Sequence, residues 1–135
     1  MRHKALVWIL RPGPAEGPEV LLLERPSERG GGEHPVTGKA DHGETPLACA
    51  GREALEETGL RGDLRALDVV HRYRGAKNIF EEHAFAMTVG SRAEPRLSSE
   101  HVAFRWATPE QARAALGWKA HRDALAAALS LWGKR

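Results

Sequence analysis

With 135 residues, 41% of them hydrophobic and 28% charged, the chain has the size and composition of one globular domain (1–135), neither disordered nor fibrous. A formal charge of +2 tolerates an anionic ligand without calling for a nucleic acid partner, and no apolar run approaches the roughly 20 residues of a membrane span. The single cysteine, Cys49, excludes an internal disulfide and fits a reducing, cytoplasmic compartment.

The opening "MRHKALVWIL" starts basic and turns apolar, but Arg11 and Pro12 end the run and no small-residue cleavage site follows, so no signal peptide is expected. Residues 4–10 and 19–24 read as two buried strands joined by the Pro- and Gly-rich "RPGPAEGP". The next segment, "RPSERGGGEHP", is expected to lack regular structure and to form a mobile loop beside a site.

Thr45 followed by Pro46 marks a helix start, and Gly59 is the matching stop. A helix of that length is marginal alone, so it must pack, and Leu47, Ala50, Gly51, Ala54 and Thr58 form the expected apolar stripe. Cys49 is expected to pack within it. Residues 64–75 and 79–90 read as two longer strands and 101–108 as another, before an Ala-rich helical end that starts at Pro109 and includes 120–132. This order predicts a mixed α/β or α+β domain with a sheet between helical layers. Trp8, Phe85, Phe104 and Trp106 are expected in its core.

The helix raises a question of charge. At about 100° per residue, Glu53, Glu56 and Glu57 share an arc on the side away from the apolar stripe, near the end where the helix dipole disfavours anions. Such a face is either simply solvated or holds a hard divalent cation, Mg²⁺ or Mn²⁺, for which carboxylate oxygens are suited.

The wider segment 38–60, "GKADHGETPLACAGREALEETGL", decides between the two. Its Gly38, Glu44, Arg52, Glu53, Ala54, Glu56, Glu57, Gly59 and Leu60 match the Nudix box position by position, with Ala54 smaller than the usual Leu, Ile or Val. The chain thus resembles the Nudix hydrolases of the MutT type. The resemblance implies a loop-helix-loop on the mixed central sheet of an α/β/α sandwich, and hydrolysis of a nucleoside diphosphate linked to another group. It further implies Glu56 and Glu57 as main metal ligands, Glu53 as a further ligand or the base, and Arg52 as the group that orients them. By the same resemblance Glu44 is expected to close the loop or join a second metal, and the Thr37 carbonyl to be an additional ligand.

Glu100, directly before a strand in "SSEHVAFRW", resembles the distal glutamate of several such enzymes and is the other candidate base. Arg25 at a strand end, Lys39 and His83 are candidate substrate contacts. Longer stretches, "HPVTGKADHGET" and "SEHVAFRWATPEQARAAL", resemble the dihydroneopterin triphosphate and dATP pyrophosphohydrolase branch, although Gly31, Gly32, Glu33 and His34 depart from its aromatic approach to the box. The expected reaction is Mg²⁺-dependent cleavage of a nucleoside or pterin triphosphate to monophosphate and pyrophosphate. Hydrolysis of dinucleoside polyphosphates and non-catalytic nucleotide binding are the alternatives. Relatives include homodimers, but no association stripe stands out here.

Overall fold

The computed structural model describes all 135 residues. In chain order they form β1 (Arg2–Pro12), β2 (Pro18–Glu24), β3 (Glu33–His34), β4 (Val36–Lys39), α1 (Pro46–Thr58), β5 (Asp63–Arg74), β6 (Ile79–Thr88), β7 (Ala103–Ala107), α2 (Pro109–Ala115) and α3 (Lys119–Gly133). The expected α/β/α sandwich is what the chain adopts: one mixed sheet carries α1 on one face and α2 and α3 on the other.

Strand β1 organises the molecule. It runs parallel to β6 along one edge, which requires a crossover, and antiparallel to both β2 and β4 along the other. Its residues alternate between two cores, so the strand is an unbroken apolar run. Ala5, Val7 and Ile9 meet Ala50 and Ala54 of α1, while Leu6, Trp8 and Leu10 meet Leu125 and Ala128 of α3. Trp8 is fully buried, and its indole N–H donates to the His121 carbonyl at 3.1 Å.

The expectation of an irregular 25–35 segment is corrected in part. Ser27–Arg29 form a single 3₁₀ turn, and Glu33–His34 pair with Leu23 and Glu24 of β2. β4 then pairs with β1 through Lys4–Val7. Strands β1 and β2 are bonded to each other only at Leu10–Pro12, so they diverge, and residues 33–39 occupy the wedge between them. An extended segment satisfies the backbone groups that the divergence would orphan.

Helix α1 has the expected bounds. Thr45 Oγ1 accepts from Ala48 N at 3.1 Å, a cap worth about 1 kcal/mol, and Gly59 closes the helix at φ 71°. The packing stripe is rotated from the expected one. Leu47 is exposed, and Cys49 and Glu57 are buried beside Ala50, Ala54 and Thr58. Phe104 also departs from the expected core and is half-exposed on β7, whose other neighbours leave that side open.

Candidate active site

The three helix acids do not share one solvent face. Glu57 is only 3% exposed, Glu53 is largely covered, and Glu56 is open to water. The difference from the expected face follows from the sheet. Gly38 on β4 lies directly under Glu53, and a Cβ there would overlap the Glu53 carboxyl, so only glycine lets the helix acids settle this close to the strand.

Arg52 ties the segment together. Its Nε and Nη2 donate to the two oxygens of Glu44 at 2.8 and 2.9 Å, and Nη1 donates to Glu53 at 3.0 Å and Glu56 at 3.1 Å. Nη2 also reaches the Lys39 carbonyl at 3.0 Å, fastening the helix to the end of β4. Glu44 additionally accepts from the Asp41 backbone N–H at 3.0 Å, which closes the loop, and the guanidinium hydrogen bonds pull its carboxyl down to about 2.

Glu57 has the opposite environment. Burial, then the hydrogen bond and charge of Glu53, then the charge of Glu100, push its carboxyl well above the usual range, and Oε2 has no partner. A buried carboxyl with one oxygen unpartnered beside two further acids is the arrangement a divalent cation would neutralise. The oxygen-only donor set of Glu53, Glu56 and Glu57 therefore fits a hard cation.

Behind Glu57 lies a feature that the sequence reading passed over. His34 and His101 are both buried, with Nε2 to Nε2 at 3.0 Å, and His101 Nε2 is 3.8 Å from Glu57 Oε1. His34 Nδ1 lies 2.5 Å from the Pro35 carbonyl, which only a protonated Nδ1 can satisfy. Burial, with Arg25 next, pushes His34 down to about 3, so the ring is neutral and its Nε2 accepts. His101 Nε2–H is therefore the donor, directed to His34 and on the side of Glu57. The adjacency of "EHP" to the box and of His101 to Glu100 was the available signal, but nothing local pairs residues 67 apart.

Of the other expected residues, Glu100 is exposed in a loop docked on the end of α1, where Arg96 N donates to the Thr58 carbonyl and Ser98 N to the Glu57 carbonyl. Its charge reaches Glu57 and His101. Arg25 acts electrostatically on Glu57, His34, His101 and His121, and it lines a cavity of about 490 Å³ on the α3 face of the sheet. Lys4, Thr37, Tyr73, Arg74 and Trp118 also line that cavity. Lys39 points to the same face, with its Nζ 5.5 Å from the Phe80 ring centroid. His83 does not join them. Paired with Ala5, it faces the α1 side.

Residues 1–128 match the family model described as "NUDIX domain". The chain belongs to the NUDIX family. NUDIX hydrolases act on phosphoanhydride bonds and generally use divalent metal ions. The fold is shared with a Caenorhabditis elegans Ap4A hydrolase (TM-score 0.85, 21% identity, 100% of both chains). It is shared as well with the Escherichia coli dihydroneopterin triphosphate pyrophosphohydrolase (TM-score 0.81, 20% identity, 96% of this chain and 95% of that one). A curated Myxococcus xanthus protein named "Octanoyltransferase" is 44% identical over 96 residues, 67% of this chain, and the match spans only 27% of that protein's length. No helix of this NUDIX chain is long and apolar enough to cross a membrane.

Proposed function

We propose that the chain is a Mg²⁺-dependent pyrophosphohydrolase that cuts a nucleoside or pterin triphosphate to its monophosphate and pyrophosphate. The observation that carries this reading is the juxtaposition, through Arg25, of an unpartnered buried acid with a cavity that is cationic and aromatic at once. Tyr73 and Trp118 suit a flat heterocycle, and Lys4, Arg25 and Arg74 suit its phosphates.

Glu53, Glu56 and Glu57, with the Thr37 carbonyl, would hold the cation, and Glu44, both of whose oxygens accept from Arg52, closes the loop. When bound, the cation offsets phosphate charge and lowers the pKa of a bound water. Arg52 keeps Glu53 and Glu56 oriented, and Arg25 and Lys39 draw in the polyphosphate. Glu53 or Glu100 accepts the proton from the attacking water.

A substrate panel with Mg²⁺ tests the reading: dihydroneopterin triphosphate, the four dNTPs, ADP-ribose and diadenosine polyphosphates, with phosphate and pyrophosphate measured separately. Pyrophosphate release from a triphosphate supports it. Preferential cleavage of the diadenosine compounds replaces it with the dinucleoside polyphosphate reaction, and binding without turnover replaces it with a binding module.

A further inference from the structure

On the α1 face of the sheet, beyond the helix, three side chains that the proposed reaction does not use converge. His3 on β1 pairs in register with Glu81 on β6, and His83 follows two residues later on the same face. Glu81 Oε1 is 3.1 Å from His83 Nε2 and 3.7 Å from His3 Nδ1, and these three atoms all lie within 4.8 Å of one another. The two imidazole rings are 5.6 Å apart, tilted by 41°.

We propose that His3, Glu81 and His83 form a second cation site, for a divalent transition metal of the Zn²⁺ type, distinct from the carboxylate face of α1. The donor set makes the distinction. Two imidazoles and one carboxylate suit Zn²⁺ or Co²⁺ and are poor ligands for Mg²⁺, whereas the α1 acids are the reverse. The carboxylate is pre-oriented, because Arg72 donates to Oε2 twice, at 2.8 and 3.0 Å, and leaves Oε1 to the rings. A carboxylate held by a further hydrogen bond is how protein ligands are commonly fixed.

The backbone positions are rigid, since all three residues sit on adjacent hydrogen-bonded strands. Ligands about 2.0–2.2 Å from a tetrahedral ion are roughly 3.3–3.5 Å apart, so side-chain rotation of about an ångström closes the set. His3 lines a cavity of about 540 Å³ together with Asp41 and His42. Because the His3 carbonyl accepts from Ala40 N at 2.9 Å, an ion here fastens the start of β1 and the first residues of the box loop together.

The test uses untagged protein, stripped of metal and then saturated with Mg²⁺ so that the α1 acids are occupied, and titrated with Co²⁺. One equivalent is expected to develop the visible absorption of a low-coordinate imidazole and carboxylate site, and Zn²⁺ is expected to displace it. At free Zn²⁺ about 100-fold above Kd, Tm is expected to rise by roughly 5–10 °C. H83A and E81Q should abolish both effects with circular dichroism unchanged, and E57Q should retain them. Absent colour, colour that survives H83A and E81Q, or colour lost with E57Q overturns the proposal. None of these readouts depends on turnover, so the outcome stands apart from that of the substrate panel.

Discussion

Glu57 and its two histidines carry opposite demands, and three residue-scale predictions follow from them. A glutamate whose folded-state pKa is raised favours the native state while protonated, so its contribution is full below the ordinary glutamate range and is lost as pH rises toward the raised value. In metal-free protein, wild type should therefore lose about 1–3 kcal/mol relative to Glu57→Gln between pH 5 and pH 8 by urea unfolding. The same variant should lose turnover by about 10²-fold or more with Mg²⁺ present if Glu57 is a ligand as proposed. His101→Ala should weaken Mn²⁺ binding by roughly 10–100-fold, read by titration, since the ring that backs Glu57 is removed. Glu100→Gln separates the two candidate bases. A fall in kcat of about 10²-fold or more at unchanged metal affinity assigns the base to Glu100, and near-normal kcat leaves Glu53. Spacing singled out the acids and the resemblance of the wider segment gave them a role, whereas the His34–His101 pair was not legible, because long-range pairing across the wedge leaves no local pattern.

At the scale of elements, α1 shows where pattern reading succeeds and where it stops. The Thr-Pro start and Gly59 stop are local chemistry, and both ends were readable. Which side of the helix is buried depends on what packs there, and the sheet selected Cys49 and Glu57 over Leu47. The two-residue β3 and four-residue β4 were illegible for a related reason. They are strands only because β1 and β2 diverge around them, and nothing in "GEHPVTGK" carries a period of two. This wedge makes Gly38→Ala a sharp test. The added methyl displaces Glu53 from β4, so activity should fall at least about tenfold while the α1 helicity measured by circular dichroism persists.

The whole molecule separates two groups of side chains across one sheet. The acids gather on the α1 side, and the cationic and aromatic cavity opens on the α3 side, with Arg25 and the Thr37 strand between them. The overall layering was readable from element order, since strands, a helix, strands and helices admit few arrangements. The cavity was not, since Lys4, Tyr73 and Trp118 are far apart in the chain. Trp118 is 72% exposed, so its ring is available for stacking, and Trp118→Ala should raise KM by roughly 2–10-fold with kcat nearly unchanged in steady-state kinetics. Under the proposed function, a heterocycle held in the cavity and a phosphoanhydride held at the acids would lie on different sides of a common wall. Such a wall would gauge length, so in kcat/KM measurements shortening the substrate by a single phosphate is expected to cost more than exchanging one base for another.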